Sequence, residues 1–259
     1  MKKWIRITLV VLVLLIAGVT AREFWREAHI PDPVFQGRRL SQWLDEVDPH
    51  SQKLSPSAMV ALQQLGTNAV PRLLAEAAGD SFHPGDILIE LLRRQPWLRV
   101  HAQTGSDHQA RALRGFLALG DTGARALAQG LTNSDWVVRH GCIGQWEFAK
   151  DYPAILFGPM LDRLQDPEPK VRARAANAIG MIRQQPEMAV PALTELLRDS
   201  DEWVRCMAAL GLSCYREEAK PAVPFLLKSL TNCTSEFRFF GTNALKAIEP
   251  SVRTNAGRI

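Results

Sequence analysis

The sequence predicts an all-α protein built as an α-solenoid, in which pairs of helices stack on one another. The first observation is a column of four arginines that recur every 33 residues. Each is preceded at one position by an apolar residue, at six positions by Asn or Asp, and at eight by Leu. The second observation is the helical spacing of the apolar residues between these arginines. Internal repeats of about 20–50 residues are typical of solenoids. The arginines are Arg139, Arg172, Arg205 and Arg238.

The first helix of each predicted pair starts near the arginine. The apolar residue before the arginine is followed four positions on by a small residue and eight positions on by a large apolar one. Offsets of 0, 4 and 8 place all three on one helical face. An acidic residue or Thr at or near the helix start is suited to cap it: Asp135, Glu168, Asp201 and Thr234. The three columns are Val138, Val171, Val204, Phe237; Cys142, Ala175, Ala208, Gly241; and Trp146, Ile179, Leu212, Leu245.

The second helix of each pair shows apolar residues at offsets of 0, 3 and 7, again one helical face. Pro191 and Pro224 are predicted to lie in the first turn, where a missing N–H costs little, and Pro159 one position later. The three columns are Ala124, Phe157, Val190, Val223; Leu127, Met160, Leu193, Leu226; and Leu131, Leu164, Leu197, Leu230.

The arginine column has two interpretations. It could form a strip that binds anions. However, each arginine recurs together with the Asn or Asp six positions earlier, which favours a structural role in which it bonds the turn between repeats.

The pattern closely resembles the HEAT-repeat family, in the short variant typical of phycobilisome lyases. The best match is residues 189–205, AVPALTELLRDSDEWVR. The resemblance is clear over about 107–248, and weaker at 55–78. It implies a right-handed, HEAT/armadillo-like superhelix over 55–248, with an irregular insertion at about 79–106. HEAT repeats specify a fold much better than an activity.

The remaining segments are a linker with an N-terminal capping helix at 22–54 and a C-terminal tail at 249–259. The capping helix is predicted at 40–47. Residues 34–44 also resemble the lead-in of exported bacterial HEAT-repeat proteins, and Phe35, Leu40, Trp43 and Leu44 are expected to cover the first repeat.

Residues 1–21 carry a basic start followed by an apolar run and a V-x-A end. The pattern is typical of a cleaved secretory signal, with cleavage after Ala21. The alternative is an uncleaved N-terminal hydrophobic helix that anchors the chain in the membrane. Both leave the N-terminus in the cytoplasm and export residues 22–259, because the basic residues precede the apolar run.

The charge of the exported part argues against a nucleic-acid partner. Without Lys2, Lys3 and Arg6, the 31 basic residues fall to 28, against 27 acidic ones. A nucleic-acid interface needs an excess of basic residues on one face.

No catalytic motif, metal-ligand pattern or cofactor motif stands out, so we predict no enzyme activity, metal or cofactor. Cys142, Cys206 and Cys214 are expected to be small buried residues. Cys233, in a predicted loop, is the best candidate for a reactive thiol.

We therefore predict a protein-binding scaffold or adaptor of the cell envelope. The alternatives are an accessory subunit of an envelope enzyme complex, or a divergent phycobilisome-lyase-like enzyme. The resemblance implies that the second helices line the concave face of the solenoid, which makes it the candidate binding groove. Its residues are Gln129, Leu161, Asp162, Thr194, Glu195, Leu227 and Lys228.

Four aromatic residues outside these columns could also contact a partner. Trp136 and Trp203 open two first helices, where they either pack at the inter-repeat turn or anchor a partner. Phe239 and Phe240 lie on the last first helix with no further repeat to cover them. They are either exposed or covered by the tail to Ile259, and we predict a contact or oligomer surface there.

Overall fold

The computed structural model describes residues 30–48, 53–79, 104–231 and 233–251. The chain divides into two compact units, 1–118 and 119–259. No helix within the described ranges is both long and apolar enough to cross a bilayer. The predicted signal or anchor at 1–21 lies outside them, as do most of the predicted insertion and of the C-terminal tail.

The described part of the first unit contains a short hairpin and four helices. Their bounds are β1 Val34–Phe35, β2 Arg38–Arg39, α1 Leu40–Leu44, α2 Pro56–Leu65, α3 Val70–Ala78 and α4 Gly105–Leu119, whose last residue belongs to the second unit. A 3₁₀ turn, Gly66–Ala69, joins α2 to α3.

The hairpin before α1 was not expected from the sequence. Strands β1 and β2 pair antiparallel through a two-residue turn, Gln36–Gly37, in which both residues have positive φ. Such turns match the right-handed twist of the flanking strands. The indole N–H of Trp43 donates to the carbonyl of Phe35 at 3.3 Å, and this bond ties the hairpin to α1.

The predicted capping helix is present but shorter than expected. It ends at Leu44, because Val47 leaves the helix to form an antiparallel bridge with Leu54. Its residues Leu40, Trp43 and Leu44 are buried, and α1 packs against α2. These three side chains thus lie against α2, whereas Phe35, which was expected to join them, is only partly buried.

The second unit contains nine helices among its described residues. Their bounds are α5 Asp121–Gly130, α6 Trp136–Ile143, α7 Trp146–Ala149, α8 Pro153–Asp162, α9 Pro169–Ile182, α10 Pro186–Glu195, α11 Glu202–Tyr215, α12 Val223–Ser229 and α13 Ser235–Ile248. Three 3₁₀ segments continue from these helices. Arg163–Gln165 follows α8, Leu196–Arg198 follows α10, and Arg216–Ala222 joins α11 to α12.

The predicted helix pairs are confirmed in this unit. Helices α6, α9, α11 and α13 are the first helices, and α5, α8, α10 and α12 the second. First helices α9, α11 and α13 stack directly on one another. Their predicted core columns are buried, including Val171, Ala175 and Ile179 on α9. The four predicted capping residues are all N-caps of first helices.

One first helix departs from the prediction. It is interrupted at Gly144 and Gln145, so it consists of α6 and the single turn α7. The interruption changes the phase of the helix. Trp146, expected in the core, is only partly buried, and Phe148 is fully buried in its place.

The positions of two prolines also differ from the prediction. Pro191 lies inside α10 rather than in its first turn, because this helix already begins at Pro186. Pro159 lies inside α8 in the same way. Pro224 does fall in the first turn of α12, as expected, because a 3₁₀ segment leads directly into that helix.

Helices α9 and α11 approach each other at two glycines. A Cβ added to Gly180 would lie 2.5 Å from the Cα of Gly211, and one added to Gly211 would lie 2.6 Å from the carbonyl oxygen of Ala176. Only glycine allows backbones to approach this closely. The two glycines are 31 residues apart rather than 33, so the repeat columns do not reveal the pair.

Candidate functional site

The arginine column forms a ladder that links consecutive repeats. Nε and Nη2 of Arg139 donate to the two carboxylate oxygens of Asp166, both at 2.7 Å. Its Nη1 donates to the carbonyls of Asn133 at 2.8 Å and Ser134 at 3.0 Å. Arg139 thus binds both the turn before its own helix and the aspartate of the next repeat. Two parallel bonds of this kind are among the strongest side-chain interactions in proteins.

Arg172 repeats this arrangement one repeat later. Its Nε and Nη2 donate to the carboxylate of Asp199, both at 2.8 Å, and its Nη1 donates to the carbonyl of Asp166 at 2.8 Å. Arg205 in turn donates to the carbonyl of Asp199 at 2.7 Å. The expectation that the column bonds the inter-repeat turns is confirmed for Arg139, Arg172 and Arg205. The anion-strip interpretation loses its basis at Arg139 and Arg172, because their donors already serve the protein.

The environment keeps the ladder aspartates ionised. For Asp166, burial alone would raise the pKa, but the hydrogen bonds from Arg139 and from the amide of Glu168 outweigh it and lower the pKa. For Asp199, burial is likewise outweighed by the bonds from Arg172 and from the amide of Asp201, so its pKa is also lowered. The hydrogen bonds that Arg139 donates to Asp166 raise the pKa of Arg139.

One column of the predicted groove is exposed in every repeat. It lies near the ends of α5, α8, α10 and α12 and comprises Gln129, Asp162, Glu195 and Lys228. The structure thus places these four residues at equivalent solvent-facing positions. Their role in binding stays a prediction.

The second predicted column is less uniform. Leu161 on α8 is partly buried, and Leu227 on α12 is 40% exposed. Thr194 differs from the expectation, because it is only 7% exposed and its hydroxyl donates to the carbonyl of Val190 at 2.7 Å. Thr194 therefore offers no outward contact, while Leu227 does.

A pocket on the first helices of the second unit was missed by the sequence reasoning. Its volume is about 310 Å³. Its polar and aromatic lining comprises His140, Trp146, Lys170, Arg174, Asn177 and Trp203. Lys170 and Trp203 occupy the same position in consecutive repeats, 33 residues apart, but the other four residues do not share it. No single column of the sequence therefore groups the lining.

The pocket lies next to a row of aromatic rings. Trp203, which is 49% exposed, meets Phe240 edge-to-face with the ring centres 6.0 Å apart. Phe240 meets Phe239 in the same way at 5.4 Å, and Phe239 is 64% exposed. The expected exposure of Phe239 is confirmed, and Phe240 is partly covered. A contact surface there stays a prediction.

The first unit contains a buried cluster of charged residues, also missed from the sequence. Oε1 of Glu76 accepts from Nε of Arg72 at 2.8 Å and lies 3.6 Å from Nη2 of Arg111. Its Oε2 lies 2.5 Å from Nδ1 of His108. Burial alone would raise the pKa of Glu76, but the bond with His108 and the charges of Arg111 and Arg72 lower it.

All four cysteines are free thiols. Burial raises the pKa of Cys142 to about 12 and that of Cys206 to about 11. Cys214 and Cys233 are partly buried, so the expectation of a fully buried Cys214 is not met. The reactivity of Cys233 stays a prediction. Within the described ranges, no three His, Cys, Asp or Glu side chains are grouped so that they could hold a metal ion.

The family model described as HEAT repeats matches residues 159–246 of the chain. The solved structures to which the chain is similar include an engineered protein that is 22% identical. The match covers 82% of this chain and 95% of that chain, with a TM-score of 0.44. A designed armadillo repeat protein in complex with the peptide (KR)4 is 18% identical, with coverages of 81% and 98% and a TM-score of 0.45. No curated protein matches the chain.

The family match and the observed geometry agree. Residues 159–246 include the helices α9 and α11, whose stacking and arginine ladder were described above. The second unit is therefore a helical repeat structure that is similar to HEAT repeats over these residues.

Proposed function

We propose that this protein is a non-catalytic scaffold that binds a protein partner along the exposed side of its second helices. The observation that carries the proposal is the exposed column Gln129, Asp162, Glu195 and Lys228. Four consecutive second helices present a polar side chain at the same point of the repeat. Stacked helices pack about 8–10 Å apart, so the column offers regularly spaced contacts to an elongated partner.

The chemistry of this surface favours a protein over a nucleic acid or a small anion. The column contains two acids, one base and one amide, so no single sign of charge dominates it. The partly buried Leu161 and the exposed Leu227 lie one residue before Asp162 and Lys228. Apolar contacts within a polar surround are the usual composition of a protein interface.

The ladder supports the same function by fixing the repeats relative to one another. The pairs Arg139–Asp166 and Arg172–Asp199 each join two repeats through two hydrogen bonds of 2.7–2.8 Å. A surface whose geometry is set before binding loses less entropy when the partner docks.

The test is site-specific photo-crosslinking in cells with the full chain. A photoreactive residue at position 195 should capture one partner, and Asp162→Lys together with Leu227→Asp should abolish that product. The same photoreactive residue at Glu147, an exposed position on α7, is the matched control. Equal capture at both positions, or capture at 195 that the double substitution does not change, would contradict the proposal.

We place this scaffold in the cell envelope on the basis of residues 1–21. Their basic start and apolar run support export of the rest of the chain, either as a cleaved or as an anchored protein. A C-terminal fusion to a phosphatase that is active only outside the cytoplasm should be active, and should lose activity when residues 1–21 are deleted. The described residues contain no feature that favours the accessory-subunit or lyase-like alternative.

A further inference from the structure

The pocket on the first helices of the second unit combines positive charge with aromatic walls. Its charged lining residues are Lys170 and Arg174, and its lining contains no Asp or Glu. Trp146 and Trp203 also line it. Both charged side chains of the lining are therefore positive, although the chain from residue 22 onward is nearly neutral.

The histidine in this pocket is neutral at physiological pH. Burial lowers the pKa of His140 to about 3, with further contributions from the charges of Arg174 and Lys170. Nη1 of Arg174 lies 3.3 Å from both ring nitrogens of His140. The imidazole thus contacts the guanidinium but carries no charge itself. The charged side chains of the lining are Arg174 and Lys170.

The aromatic walls are held in place by the protein. The ammonium of Lys150 lies 4.4 Å from the ring centre of Trp146. Phe240 braces Trp203 edge-to-face. Half of Trp203 is nevertheless exposed. Large aromatic side chains left at the edge of a pocket are suited to stack against a flat ligand.

We propose that this pocket binds a carboxylate group carried next to an aromatic or other flat apolar group. Arg174 and Lys170 would bind the carboxylate, with Asn177 as an additional donor, and Trp146 and Trp203 would contact the flat portion. The volume of about 310 Å³ suits a group of this size. The site is on the first helices and is independent of the proposed interface on the second helices.

Two pairs of probes test the proposal by isothermal titration calorimetry with the full chain. The first pair is 1-naphthoate and its neutral analogue 1-naphthamide. The second is N-acetyl-Asp-Phe-amide and N-acetyl-Asn-Phe-amide. In each pair only the carboxylate is changed. We expect at least one acid to bind with a Kd of about 1 mM or lower, and its amide at least about tenfold more weakly.

Variants assign the binding to this pocket. Arg174→Gln should weaken binding about tenfold, because it removes a charged donor. Lys170→Gln, at an exposed position, should weaken it about threefold. Arg198→Gln is the control, because Arg198 is an exposed arginine next to the second helices and should bind as the wild type does. Unchanged melting curves show that the variants fold.

Each outcome decides the matter. If only the peptide binds, and its binding depends on Arg174, the carboxylate belongs to a protein segment. If only naphthoate binds in this way, the carboxylate belongs to a free acid. Either result supports the proposal. It is overturned if neither acid binds, if the amides bind equally well, or if Arg174→Gln and Lys170→Gln leave the affinity unchanged in folded protein.

Discussion

The two units of this protein both bury pairs of arginine and carboxylate, but in different arrangements. In the second unit, each aspartate of the ladder receives two bonds from the arginine of the preceding repeat. In the first unit, Glu76 alone is surrounded by Arg72, His108 and Arg111. The ladder distributes its charges over several helices, whereas the cluster concentrates them on one side chain.

This difference has an energetic consequence. Removing one partner from a buried ion pair leaves the other charge without compensation, and this costs more than the pair itself contributes. The loss should therefore be largest where one carboxylate serves several cations. In the ladder, each arginine also binds backbone carbonyls, so part of its bonding survives the loss of a single aspartate.

The largest effect is expected for Glu76→Ala. The substitution removes the buried carboxylate that Arg72, His108 and Arg111 share and should lower the free energy of unfolding by about 3–5 kcal/mol. Urea denaturation measures it. Glu147→Ala, at an exposed position, is the matched control and should change stability by less than about 0.5 kcal/mol. A loss below about 1 kcal/mol at Glu76 would show that the cluster is not a concentrated source of stability.

Arg139→Ala should have the next largest effect. It removes two bonds to Asp166 and two to backbone carbonyls, and we expect a loss of about 2–3 kcal/mol in the same measurement. Arg198→Ala provides the comparison, because its ion pair with Glu195 is exposed and spans 3.7 Å. Such pairs contribute about 0–1 kcal/mol. Similar losses in the two variants would mean that the ladder is no stronger than a surface ion pair.

Acid should lower the stability that the ladder contributes, because it protonates the aspartates. The loss should be smaller than that caused by removing an arginine, because a protonated Asp166 can still accept hydrogen bonds. The pKa values of Asp166 and Asp199 are lowered in the folded protein. Their contribution is therefore complete above the unfolded value of about 3.9 and is lost as the pH falls through the folded values.

Unfolding free energies measured between about pH 6 and pH 2 test this. Asp166→Asn should flatten the decline below about pH 4, whereas Asp162→Asn, at an exposed position on α8, should keep the wild-type slope. An unchanged slope in Asp166→Asn would locate the acid sensitivity outside the ladder.

The smallest effect is expected at the helix caps. The side chain of Asp201 accepts from the amide of Val204 at 3.0 Å, so Asp201→Ala should cost about 1 kcal/mol. Glu168 occupies the same column but makes no capping bond, and Asp166 binds its amide instead. Glu168→Ala should therefore cost less than Asp201→Ala in thermal unfolding. The reverse order would contradict the assignment of the caps.

The periodic parts of this fold could be predicted from the sequence. Residues such as Ala175 and Ile179 recur at fixed offsets because each helix packs in the same way on the next. The ladder could be anticipated for the same reason. Its direction could not, because the spacing of Arg172 from Asp166 is as regular as its spacing from Asp199, and only the structure shows which side chain it binds.

The remaining features have no period. Glu76 and His108 lie in different helices and are brought together by tertiary packing. In the pocket, Lys170 precedes its ladder arginine by two positions and Arg174 follows it by two, while His140 follows an earlier one directly. The break at Gly144 and Gln145 also escapes prediction, because the apolar residues keep their helical spacing in the sequence across it. The spacing therefore predicts a buried Trp146, whereas Phe148 is the residue that is buried.

The direction of the ladder bonds makes each repeat a cassette. The unit that contains Arg172 gives this arginine forward to Asp199 and receives Arg139 at its own Asp166, so duplicating that unit leaves matching ends at the joint. At the front of the series, Ser106 stands 33 residues before Arg139, and the acceptor Asn133 is uncharged. Such an array can change length during evolution in steps of one unit, while any other step would leave a carboxylate opposite the wrong residue.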